Sequence, residues 1–107
     1  GLTGLFNRIG FNEQVEKYLN NNESKKCIAI LLDVGINFKF INDVHGHEVG
    51  DQVLIQLATD MKKEFPENAV IGRNGGDEFC MLIKDCNEEE AKNLVESFTM
   101  KKAYIPA

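Results

Sequence analysis

The run Gly75-Gly76-Asp77-Glu78-Phe79 sets two glycines directly before two carboxylates. Glycine lets a backbone turn tightly and lets a ligand come close to it. Adjacent carboxylates are the hard oxygen donors that a divalent cation takes. A tight turn with a metal ligand at its exit points to phosphate chemistry. The same residues also fit a plain hairpin with a solvated acidic tip, because Asn74-Gly75 is a strong short-range hairpin signal. Ala69 to Arg73 and Glu78 to Ile83 are short apolar runs on either side. Asp77 is therefore expected at or just past a hairpin tip held by two paired strands, a more rigid support than a free loop.

A second polar cluster runs from Asn37 to Asp51. It follows Cys27 to Leu32, a continuous apolar run that suits a buried central strand and ends at Asp33. Ligands in sheet-and-helix folds tend to sit beyond the carboxyl ends of strands. Asn42 and Asp51 have the groups to read a base edge. A carboxylate accepts from the ring and exocyclic N–H groups of guanine, and an amide both donates and accepts. Lys39, near a strand-to-helix turn, is placed to meet a phosphate. Structural roles compete with these: Asp51 as a first-turn acid on a helix dipole, Asn42 and Asp43 as turn formers. His45 and His47 suggest zinc, but no third ligand stands at the expected spacing.

The elements that must position these groups follow from periodicity. Phe6 to Leu19 reads as a helix with Phe6, Ile9, Val15, Tyr18 and Leu19 on one face. Asn20 to Ser24 breaks it as a polar loop. Phe38 to Val44 reads as a short helix punctuated by Gly46. From Val49 to about Phe65, Val53, Leu54, Leu57, Ala58, Met61 and Phe65 form an amphipathic stripe that Pro66 ends. Asn87 with Glu90 three residues on forms a capping box for a last helix whose apolar face is Ala91, Leu94, Val95 and Phe98. The order is helix, strand, two helices, hairpin, helix, which gives a sheet with helices packed on it.

The 107 residues suit a single core. A net charge of -5 disfavours a broad nucleic-acid-binding face, which needs clustered Lys and Arg. No apolar run reaches the roughly 18 residues of a membrane span, and no leader-like segment is present. Cys27, Cys80 and Cys86 lack metal-type spacing and read as reduced thiols of a cytoplasmic chain, Cys27 and Cys80 as small core residues.

Three blocks in order resemble the GGDEF domain of the diguanylate cyclase family. Leu2-Thr3-Gly4-Leu5-Phe6-Asn7-Arg8 resembles its opening motif. Phe38-Lys39-x-x-Asn42-Asp43-x-x-Gly46-His47-x-x-Gly50-Asp51 resembles its second, and Gly75 to Phe79 is the family's namesake. The resemblance reaches to about Phe98 and implies an α+β fold, a central, mainly antiparallel sheet flanked by helices as in nucleotide cyclases and polymerase palms. It implies condensation of two GTP into cyclic di-GMP, a bacterial second messenger, with release of pyrophosphate by a homodimer. Asp33 and Asp77 would hold Mg²⁺ or Mn²⁺, and Glu78 would assist the metal or deprotonate the 3′-hydroxyl. Asn42 and Asp51 would read guanine, Gly75 and Gly76 would make room for the nucleotide, and backbone amides around Phe38 and Lys39 would cradle the phosphates. No nucleic-acid partner or membrane contact by this segment is expected, though tethering to a sensor module is.

Three departures qualify the resemblance. The family's strand usually runs into Asp-x-Asp-x-Phe-Lys, whereas here the residues are Asp33-Val34-Gly35-Ile36-Asn37-Phe38-Lys39. Ungapped counting from Phe38 sets Val34 at the metal position; one inserted residue restores Asp33; the second acid is absent either way. Residues 1–107 read as one such domain without the family's last strand and helix, which should leave an open sheet edge. Pro66 and Ala69 stand where many members carry an Arg-x-x-Asp that binds the product. The alternative expectation is a degenerate module that binds GTP or a partner protein without turnover.

Overall fold

The computed structural model describes residues 2–21, 26–33, 35–76 and 78–101. Asn7 opens the first helix, α1 (Arg8–Asn21). Its side-chain oxygen accepts from the Gly10 amide at 2.8 Å, satisfying a backbone donor that the first turn leaves free. The helix begins two residues later than its apolar pattern suggests, because Phe6 is engaged elsewhere. Its amide donates to the Ile71 carbonyl at 3.3 Å, and its carbonyl accepts from the Arg73 amide at 2.8 Å.

Strand β1 (Cys27–Asp33) is followed by α2 (Gly35–His45) and α3 (His47–Glu64). Gly46 separates the two helices with a φ of 90°, a left-handed conformation that suits glycine. Its amide closes α2 on the Asn42 carbonyl, and its carbonyl receives the Gly50 amide of α3. Strands β2 (Val70–Gly75) and β3 (Glu78–Lys84) form the hairpin, and α4 (Glu88–Lys101) follows. The capping box before α4 is formed in both directions: Asn87 Oδ1 accepts from the Glu90 amide at 2.8 Å, and Glu90 Oε1 from the Asn87 amide at 3.3 Å.

The sheet is antiparallel with the order β1-β3-β2. Among the described residues β1 is thus an edge strand rather than the buried central strand its continuous apolar run suggests. The central place falls to β3, which pairs on both sides. Alternation decides which residues of β1 are covered. Ile28, Ile30 and Leu32 pack on the core, whereas Leu31 is 65% exposed.

Two layers of helix cover the sheet. On one face Phe79, Met81 and Ile83 meet Leu54, Leu57, Met61 and Phe65 of the α3 stripe, and Ala91 and Phe98 of α4. The rings of Phe65 and Phe98 lie 5.3 Å apart between centroids, tilted by 53°. The other face carries Val70, Gly72, Cys80 and Leu82, with α1 laid against β2. A Cβ at residue 72 would stand 3.0 Å from both the Phe11 Cβ and the Cys80 Sγ, so the bare glycine sets how closely the helix approaches. Phe11, Gln14, Val15 and Tyr18 turn toward the protein. Ile9 and Leu19, expected inside from their spacing, are 71% and 51% exposed, because the seating of α1 on Gly72 rotates them outward.

Gly72→Ala should therefore lower unfolding stability by about 1–3 kcal/mol through overpacking between α1 and β2. Ile9→Lys should stay within about 0.5 kcal/mol of the parent. Denaturant midpoints of the two variants check the pair.

Candidate functional site

The end of the sheet nearest the hairpin turn brings two acids together. Asp33 is the last residue of β1 and Glu78 the first of β3, and they are direct partners in the antiparallel register. Residues opposite each other in such a ladder share a face with Cβ atoms about 5 Å apart. Glu78 is half-buried and Asp33 exposed.

The hairpin closes on the pair Gly75 and Glu78, with a register shift between Arg73 and Gly75. Asn74-Gly75, the strong turn dipeptide, is therefore not the turn itself but its last strand residues, and the bulge there absorbs one residue. Gly75 has a φ of 148° and Gly76 of 48°, both favouring glycine. Among the described residues nothing lies within 4 Å of where a Cβ would sit at either position, so conformation and not crowding by them calls for glycine there. The space beside the turn is open to a ligand. Asp77 and Val34 lie outside the described residues.

Side chains from β2 brace this turn. Arg73 Nε donates to the Gly76 carbonyl at 2.9 Å. Asn74 Nδ2 donates to Glu78 Oε1 at 3.3 Å, and Cys80 Sγ to Asn74 Oδ1 at 3.3 Å. Burial pushes the Cys80 thiol above its ordinary pKa, which a backbone hydrogen bond near Gly72 opposes and the Glu78 charge reinforces. Sequence reasoning missed all three bracing contacts. The one available signal, Asn74 beside the glycines, reads locally as a turn former.

The second cluster occupies the α2–α3 corner. Asn42 is half-buried on α2, and its Oδ1 is buried with no hydrogen-bond partner among the described residues. A Cβ at Gly50 would overlap that amide, so glycine at residue 50 makes its space. Asp51, the next residue, is exposed in α3. Phe38 packs on the main core, and Lys39 is exposed. They are the fourth and fifth residues of α2. A helix leaves its first four amides free, so Phe38 stands at the margin of an amide cradle and Lys39 beyond it, with its ammonium in solvent. His45 and His47 are exposed, and among the described residues no three His, Cys, Asp or Glu side chains gather into a metal-holding cluster. Nor is any helix among them long and apolar enough to cross a membrane.

This arrangement has close counterparts. The family model described as "Diguanylate cyclase, GGDEF domain" matches residues 1–104. Diguanylate cyclase DgcN of Escherichia coli is 38% identical over 99 residues, covering 92% of this chain and 24% of that protein. Diguanylate cyclase DgcZ of the same organism is 39% identical over 90 residues, 84% of this chain and 30% of that protein. The chain thus spans about a quarter to a third of those relatives. The GGDEF domain of DgcB from Caulobacter crescentus, solved in complex with c-di-GMP, superposes with a TM-score of 0.81 at 29% identity, covering 94% of this chain and 60% of that one. The helix-flanked antiparallel sheet is the palm-like cyclase fold of these domains, and the chain belongs to the GGDEF-domain family.

Proposed function

We propose that this domain is the catalytic part of a diguanylate cyclase, which holds one GTP and joins it to a second GTP held by another copy, giving cyclic di-GMP. The observation that carries this reading is the register pairing of Asp33 with Glu78 beside the Gly75-Gly76 turn, in a domain of that family. Each 3′-hydroxyl oxygen attacks the α-phosphorus of the opposite GTP. A new O–P bond forms, the bond from that phosphorus to the bridging oxygen breaks, and pyrophosphate leaves. One domain holds one substrate, so two must face each other with two-fold symmetry.

Mg²⁺ in phosphate-transfer sites is held by one or two carboxylates together with substrate oxygens. Asp33 and Glu78 at one strand end fit that demand. On this reading Asp33 and Asp77 would hold Mg²⁺ or Mn²⁺, which when bound would supply charge neutralisation at the phosphate oxygens. Glu78 takes the hydroxyl proton or supports the metal. Gly75 and Gly76 leave the nucleotide its space. The first turn of α2 up to Phe38 offers amides to the phosphates, and Lys39 adds its ammonium. Asn42 and Asp51 read guanine, and the unpartnered Asn42 Oδ1 is the acceptor waiting for a base N–H. The domain works in the cytoplasm, tethered to a sensor module.

One observation favours the second reading, a binding module without turnover: no second carboxylate follows Asp33 before Phe38. Tight GTP binding without product, unchanged by Asp77→Ala, is the result that reading expects.

At high protein concentration, GTP with Mg²⁺ should yield cyclic di-GMP by chromatography; GTP binding without product would overturn the cyclase reading. Glu78→Gln and Asp33→Asn should each lower kcat by about 100-fold or more. Asn42→Ala and Asp51→Ala should act mainly on KM for GTP, raising it about 10-fold.

Product control forms a separate expectation. Pro66 and Ala69 close a turn through the Ala69 amide and the Pro66 carbonyl at 2.9 Å, and neither offers a charged group to a phosphate. Calorimetry should detect no cyclic di-GMP binding that depends on these two positions, and the double variant Pro66→Arg with Ala69→Asp should acquire it.

A further inference from the structure

We propose that Asn74 is a positioning residue: its side-chain amide orients the Glu78 carboxylate, and the Cys80 thiol locks the amide's own orientation. The three groups form a chain on the α1 side of the sheet, Cys80 Sγ to Asn74 Oδ1 and Asn74 Nδ2 to Glu78 Oε1, each step 3.3 Å. Chemistry fixes which end of the amide faces which partner. A carboxylate only accepts, so the NH₂ group must face Glu78. The carbonyl end then meets the thiol, whose S–H is a weak donor. The thiol therefore works against a flip of the amide that would set two acceptors against each other.

The backbone gives Asn74 this task. It is the residue skipped between the pairs Arg73–Phe79 and Gly75–Glu78, and its side chain bonds across to Glu78 and Cys80 of β3. Its neighbour Arg73 holds the turn's backbone at the Gly76 carbonyl. Consecutive residues thus hold the turn and its carboxylate. The chain borders a cleft of about 430 Å³ between the hairpin and Arg8, Phe11 and Asn12 of α1. Without the Asn74 amide, the Glu78 side chain has that space to swing into. A carboxylate rotated out of line loses rate and leaves substrate affinity in place, since Asn74 itself is assigned no contact with GTP.

The kinetic part of this proposal rests on the cyclase reading; its structural part does not. Asn74→Leu keeps similar volume and removes both hydrogen bonds. It should lower kcat by about 10-fold, the worth of one hydrogen bond to a charged group, with KM for GTP unchanged. Cys80→Ala should lower kcat by a smaller factor, and Cys80→Ser, which still donates, should retain more activity than Cys80→Ala. In the ligand-free protein the Asn74 side-chain amide resonances should move in both Glu78→Gln and Cys80→Ala. An unchanged kcat in Asn74→Leu, a change confined to KM, or amide resonances indifferent to both substitutions would overturn the proposal. Should the parent protein make no cyclic di-GMP while the Asn74 amide responds to both substitutions, the orienting role stands and the cyclase reading falls.

Discussion

Strand β3 is hydrogen-bonded along both edges, to β1 and to β2, and is buried on both faces by helices. Phe79, Met81 and Ile83 point to the α3 and α4 layer, while Cys80 and Leu82 point to the side of α1, and all five are buried. A strand so enclosed has one acceptable register. A slip of one residue would turn Phe79 and Met81 out of the core and bring Glu78 into it. The register is therefore held by apolar burial along the whole strand, and the location of Glu78 at its first residue is a by-product. Asp33 inherits its place from the same ladder, because β1 has no other partner among the described residues.

The turn that follows from this support is held by local chemistry. Gly75 and Gly76 take conformations that side chains disfavour, which frees the backbone to reverse within two residues after the bulge. That freedom would make the tip loose, and Arg73 and Asn74 oppose it by tying the turn's carbonyl and its carboxylate. The permissive residues give the shape, and the polar residues just before them limit its motion.

The α2–α3 corner is built by a different device. Gly46 reverses the chain and Gly50 leaves a space that the Asn42 amide fills. A buried amide oxygen without a partner costs free energy on the order of 1–3 kcal/mol. On the proposed function a guanine N–H would complete it. The corner and the sheet end are joined by α2, which starts two residues after Asp33 and reaches Asn42 within about 10 Å at 1.5 Å per residue. The same helix therefore spans from the acids to the amide.

Features whose physics is local were legible in the residues. The capping box at Asn87 and Glu90, the α3 stripe, the breaks at Gly46 and Pro66 and the three motifs in order all depend on residue types within a few positions, and the family followed from them. What needed the tertiary structure depends on partners distant in the chain. Among the described residues β3 rather than β1 is central, because only pairing decides which apolar run is flanked. The inward face of α1 is Phe11, Gln14, Val15 and Tyr18, because Gly72 of a remote strand sets how that helix lies. The turn closes on Gly75 and Glu78 instead of Asn74 and Gly75, because core burial along β3 outweighs the local preference of an Asn-Gly pair. The meeting of Asp33 with Glu78 exists only once β1 joins the hairpin, whereas Asn74 reaches Glu78 and Cys80 within the hairpin once the bulge has set its register.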